Sequence, residues 1–173
     1  ITNNGVPGNG SSVSLTSGVD TGTAFSLGAG NDTFNALLTT DNTNTLGSYD
    51  VLDGGTGTDT LNVDVRTAIT PKTLTSIENV NATFSAAVTL NLGQATDTTT
   101  VKSVSSTAAA TFSGLGAHVT DLGVENTTLA TTFTFASTTG TQSKSVAIDN
   151  VTGGTAGTII IEGIETLTFT ASG

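Results

Sequence analysis

Apolar residues recur at every second position in short runs: Phe34, Ala36 and Leu38; Leu61, Val63 and Val65; Val88, Leu90 and Leu92; Leu167 and Phe169. Thr, Asn or Asp fills most of the positions between, as in a strand with one buried and one wet face. Phe133 and Phe135 stand in the same relation, flanked by Thr. From Gly18 onward, glycine turns separate these runs. The nearest approach to a helix, residues 103–112 (SVSSTAAATF), lacks apolar periodicity. The pattern therefore predicts an all-β chain. A parallel β-roll or β-solenoid satisfies it, and in the C-terminal part a β-sandwich satisfies it equally.

A longer recurrence overlies the alternation. SIENVNATF (76–84), GVENTTLA (123–130) and GIETLTFT (163–170) each place an aliphatic residue and a Glu before a Thr-rich apolar strand. Their glutamates, Glu78, Glu125 and Glu165, are 47 and 40 residues apart, a spacing expected of solenoid coils that carry loop insertions.

Composition sharpens the fold class. The 173 residues include 39 Thr and 21 Gly but no Met, Cys or Trp, so strand formers and turn formers outnumber helix formers. Without cysteine there is no disulfide framework and no Cys-based zinc site. No apolar run reaches the ~20 residues that cross a bilayer as a helix. A chain that begins at Ile1 and lacks Met is expected to be a piece of a longer polypeptide. We divide it into a linker or irregular edge strand (1–17), a glycine-turn segment (18–70) and Thr-rich coils continuous with it (71–173).

Charge changes the picture more than composition does. The net charge is −10, and residues 1–64 hold seven Asp before the first basic residue, Arg66. Such a stretch repels nucleic acid and anionic membranes and attracts cations. The positions of these Asp residues matter most. Residues 50–62, DVLDGGTGTDTLN, fit the nonapeptide G-G-x-G-x-D-x-U-x through Gly54, Gly55, Gly57, Asp59 and Leu61. A degenerate copy, LGAGNDTFN, aligns Gly28, Gly30, Asp32 and Phe34 with Gly55, Gly57, Asp59 and Leu61.

Glycines let the backbone turn tightly and aim carbonyl oxygens into a small volume, and the Asp adds a carboxylate. Calcium takes six to eight oxygens, so one turn supplies only part of a shell and a stacked neighbour must supply the rest. Between the two turns the chain runs out and back, which brings them to the same edge. A Ca²⁺ ion is expected between Asp32 and Asp59, with carbonyls around Gly28, Gly30, Gly55 and Gly57. A second, weaker site is expected at the opposite edge, around Asp20, Asp41 and Asp50.

TSGVD, LGAGNDTFNA and YDVLDGGTGTDTLNV, followed by LTSIENVNAT, resemble the RTX-type segments of Gram-negative S-layer proteins and related secreted adhesins. The resemblance covers about residues 16–84. It implies type I secretion, calcium-dependent folding outside the cell and assembly into a crystalline coat. It also implies ligand roles for Gly28, Gly30, Asp32, Gly54, Gly55, Gly57 and Asp59. The expected function is structural: a self-assembling surface-layer component at the bacterial cell surface. Its partners would be copies of itself or neighbouring domains, with cell-surface polysaccharide reached through other domains. An extender or binding module of an adhesin, and the calcium-binding tail of a secreted hydrolase, are the alternatives.

Catalysis finds little support. His118 is the sole histidine and no G-x-S-x-G elbow accompanies it, so it reads as structural. Asp50 with Asp53, or Glu162 with Glu165, has the commonplace spacing of carboxylates on any acidic chain. GGTAGT (153–158) has no Asp in register and no G-K-[ST], and reads as an ion-free turn.

Overall fold

The computed structural model describes residues 8–136, 142–151, 158–161 and 164–172. These carry β1 (Ser12–Ser14), β2 (Thr33–Ala36), β3 (Val51–Asp53), β4 (Thr60–Val65), β5 (Thr73–Thr75), β6 (Asn79–Phe84) and β7 (Val88–Asn91). They continue with β8 (Thr100–Val104), β9 (Ala110–Leu115), β10 (Asp121–Glu125), β11 (Thr131–Phe135), β12 (Ser143–Asp149), β13 (Ile159–Ile161) and β14 (Thr166–Ser172). No described residue is helical.

Eight strands form one sheet in the order β1-β2-β4-β6-β8-β10-β12-β14. A second sheet runs β13-β11-β9-β7 and a third pairs β3 with β5. Every pairing is parallel. Single parallel bridges from Ser26 to Asp53, Ile69 to Leu90 and Leu74 to Ala95 extend the two smaller faces. The chain is a parallel β-solenoid of about seven coils. Parallel stacking of β8, β10, β12 and β14 excludes the sandwich considered for the C-terminal part.

The alternation in sequence becomes columns in the stack. Val13, Phe34, Leu61, Val80, Val101, Leu122 and Val146 lie in one register on the large sheet, and all are buried. On the second face Leu90, Phe112 and Phe133 align. The Phe112 ring stacks on Phe133 at 5.2 Å and takes Phe84 edge-on at 5.2 Å. Each such side chain stabilises the fold by roughly 1.5–3 kcal/mol when fully buried. On the wet face, Asn81 donates to Asn62 (3.1 Å), Asn62 to Asn35 (3.2 Å) and Asn35 to Ser12 (3.0 Å).

Coil length varies while register does not. Aligned residues are 27 apart from Asp32 to Asp59, 19 from Asp59 to Glu78 and 21 from Glu78 to Thr99. The extra residues of the longest coil lie in the loop 37–50, outside the stacked strands. Leaving the large sheet, Ser105, Asn126 and Asn150 share one column with φ of 50°, 52° and 47°. Asn visits this left-handed region more readily than most residues, and Asn150 also donates to Asn126 on the coil before it at 2.6 Å.

Two expectations change. Leu167 and Phe169 lie on a strand as predicted, but no strand follows β14 among the described residues and both are exposed, Phe169 to 57%. The three recurring glutamates do not share a column. Glu78 precedes its strand on the large sheet, whereas Glu125 ends β10 and pairs with Lys102 at 2.6 Å. Glu165 resembles Glu78 in accepting a backbone N–H from the preceding coil, that of Gln142 at 2.7 Å. Most of GGTAGT, together with Glu162, lies outside the described residues.

Candidate metal centre

The turns that lead into the large sheet stack directly on one another. Ala29 bridges Thr56, with Gly30 N–H donating to the Thr56 carbonyl (2.8 Å) and Thr56 N–H to the Gly28 carbonyl (2.8 Å). Gly55 sits at φ 89° with its Cα against the carbonyls of Gly28 and Leu27, where a side chain has no room. Gly57 packs against the Gly30 carbonyl in the same way, and Gly30 against Asn9 and Gly10. Gly54 faces two oxygens at once, the Ser76 carbonyl and Asp59 Oδ2. Gly28 alone among the five has open space where a side chain would project.

Asp32 and Asp59 occupy the same position in successive coils, and both are buried. One oxygen of each carboxylate anchors the coil before it. Ser11 N–H donates to Asp32 Oδ1, and Asp32 N–H donates to Asp59 Oδ1 at 2.6 Å. Glu78 continues the column, its Oε2 accepting the Asp59 N–H at 2.7 Å. The second oxygens, Asp32 Oδ2 and Asp59 Oδ2, are buried without a hydrogen-bond partner. A buried carboxylate oxygen left without a donor is costly. Burial foremost, then the negative charges of Asp32, Glu78 and Asp53, pushes the Asp59 carboxyl above its ordinary range, against the lowering effect of the Asp32 N–H.

These oxygens supply hard-cation chemistry. The two orphaned carboxylate oxygens and the carbonyl of Ser76 beside one of them are the ligand type Ca²⁺ prefers. Carboxylates alone do not make a shell, since no group of three or more His, Cys, Asp or Glu side chains placed to hold a metal occurs among the described residues. Backbone carbonyls would have to supply the remaining ligands, as the glycine turns suit them to do. One of these, Gly28 O, already accepts the Thr56 N–H.

The opposite corner differs. Asp20 and Asp50 are buried, but every carboxylate oxygen there has a donor. Asp50 accepts from Asp20 N–H (2.9 Å) and Gly47 N–H (2.6 Å), while Asp20 accepts from Thr16 N–H (2.8 Å) and Thr16 Oγ1 (2.8 Å). Burial, opposed by those two N–H groups, raises the Asp50 carboxyl, with a smaller push from Asp20. The pair holds the loops at 16–20 and 47–50 in place. Asp41 stands on an exposed loop.

His118 donates from Nε2 to the Ala95 carbonyl at 3.0 Å and rests its ring on Gly116, a packing role. Sequence reasoning used Glu78 only to mark a repeat and overlooked its place in the acid column. The signal available was its position one residue before a strand, matching Asp32 and Asp59. Lys144 was missed altogether, although Lys144, Val146 and Ile148 alternate like core positions. No family model, curated protein or solved structure matches the chain.

Proposed function

We propose that this solenoid is a structural module of a secreted bacterial surface protein, stiffened by calcium and tiling with copies of itself or with neighbouring domains in a surface layer. The observation that carries the reading is the pair of buried, donorless oxygens Asp32 Oδ2 and Asp59 Oδ2 in stacked glycine turns. A divalent cation converts their mutual repulsion into attraction and couples folding of the N-terminal coils to calcium outside the cell. A calcium-poor cytosol then leaves those coils loose for export.

The tiling half of the reading rests on the resemblance of residues 16–84 to surface-layer segments. Among the described residues β14 pairs only with β12, with Phe169 in the register of the core column, Leu167 in that of Lys144, and both exposed. A parallel coil edge with apolar side chains is suited to packing by a further coil, of the same polypeptide or of a copy. The test is a calcium titration followed by circular dichroism and light scattering together. Gain of β signal with growth of large assemblies supports the surface-layer reading. Ordering without assembly moves the assignment to a calcium-stiffened adhesin extender. No response to calcium removes the metal centre.

A further inference from the structure

The corner that holds the acid column returns, with opposite charge, near the other end of the solenoid. Register carries the column from Asp32 and Asp59 through Glu78, Thr99 and Thr120 to Lys144. In the three intervening coils the inward side chain at this corner is one residue earlier: Ile77, Thr98 and Val119, all buried. At Lys144 the arrangement of the glycine boxes resumes, with the column residue itself turned inward and 2% exposed.

The Lys144 ammonium donates to the carbonyls of Val119 (2.6 Å) and Ala117 (2.8 Å). It lies 4.7 Å from the centroid of the Phe135 ring. Those carbonyls belong to the turn 116–120, which enters the large sheet as the turn 54–59 does. Converging carbonyl oxygens inside a coil form an electronegative spot, and a buried cation there is satisfied only by such oxygens and a ring face. Residues 1–64 contain no Lys or Arg, so the N-terminal corners have no ammonium or guanidinium of their own nearby in sequence.

We propose that the cation at this corner comes from solution in the coils of Asp32 and Asp59 and from the chain itself, as the Lys144 ammonium, in the coils between β9 and β12. Resting on the calcium reading above, this divides the solenoid in two. The C-terminal coils close without calcium and present a finished sheet edge onto which calcium orders the N-terminal coils.

Hydrogen exchange of the full chain, in calcium and in chelator, tests the division. Chelator is expected to speed exchange by about tenfold or more over residues 26–65, with β9, β10 and β12 keeping their protection. Lys144→Met is expected to speed exchange over residues 110–124 by about tenfold, in calcium and in chelator alike, and Lys144→Arg to do so less. If chelator loosens all coils equally, the glycine boxes stand as calcium sites and the division falls. If calcium alters exchange nowhere, the calcium reading falls and takes the division with it. If Lys144→Met leaves residues 110–124 protected, the ammonium has no such role. Should that variant not fold, calcium against chelator in the unaltered chain decides the division, and Lys144→Arg decides the lysine: protection of residues 110–124 as in the unaltered chain upholds a cation there, and loss as large as chelator causes over residues 26–65 overturns it.

Discussion

The backbone N–H of Asp32 donates to Asp59 Oδ1 across 2.6 Å, so the two acids are joined by a hydrogen bond while their other oxygens face the interior without partners. Structure and the proposed ion binding would therefore use different atoms of the same side chain.

This separation can be read by substitution. Asp59→Asn keeps an oxygen for the Asp32 N–H but loses the charge. In chelator it should be at least as stable as the unaltered chain, since it removes a buried carboxylate. In calcium at about a hundred times its dissociation constant, the unaltered chain should gain about 2.7 kcal/mol and the variant far less. Paired thermal melts in calcium and chelator check this, and an equal calcium shift in both proteins would refute the ligand role of Asp59.

The Asp59 contribution to the acid dependence should change sign with calcium. The Asp59 and Asp50 carboxyls are raised above 3.8 in the folded chain, so the folded state holds these protons to higher pH than the unfolded state does. Without calcium, their contribution is fullest below pH 3.8 and is lost as pH rises through the folded values. A cation that requires the ionised Asp59 should reverse that slope for this residue. Denaturant titrations across the acid range, with and without calcium, measure both slopes.

The glycines of the boxes are not equivalent. Gly55→Ala forces a side chain onto the Gly28 carbonyl at φ 89° and should cost about 2–4 kcal/mol, in calcium or without it. Gly28→Ala meets open space and should change stability by less than about 0.5 kcal/mol. Equal losses in the two variants, measured by urea unfolding, would show that the turns do not stack as described.

End-on assembly of copies of this chain should depend on β14. Phe169→Ser alters a side chain already 57% exposed, so thermal stability should stay within about 0.5 kcal/mol of the unaltered chain. Calcium-dependent light scattering should nevertheless fall. Unchanged scattering would place the lattice contacts elsewhere on the solenoid.

Strand periodicity was legible in most strands with neighbours on both sides, though β2 ends at Ala36 and leaves Leu38 outside it, half-buried. Leu61, Val63 and Val65 alternate in sequence and are buried in β4. The same period at Leu167 and Phe169 marks the inward face equally well, but period two does not say whether anything covers it. Topology was less legible, because alternation is the same in a sandwich and a solenoid. Separations of 27, 19 and 21 residues between aligned positions blur any fixed repeat. That irregularity also explains the misplaced glutamates: Glu125 is followed by Asn and Thr much as Glu78 is followed by Asn, yet it sits at the other end of its strand. The glycine boxes stood out because stacked turns require glycine at fixed places. Lys144 did not, because a buried ammonium is recognised by carbonyls distant in sequence.

Because all strands of the large sheet are parallel and stacked coil on coil, its hydrogen bonds point along the length of the solenoid. A pull applied between the two ends then loads these rungs one after another, like a zipper, instead of shearing a whole sheet at once. Under tension the molecule should pay out in single coils of 19 to 27 residues, each releasing about 60–95 Å of chain. An ion clamped between Asp32 and Asp59 would be a knot in that zipper, and the force needed to pass it would report calcium in the medium.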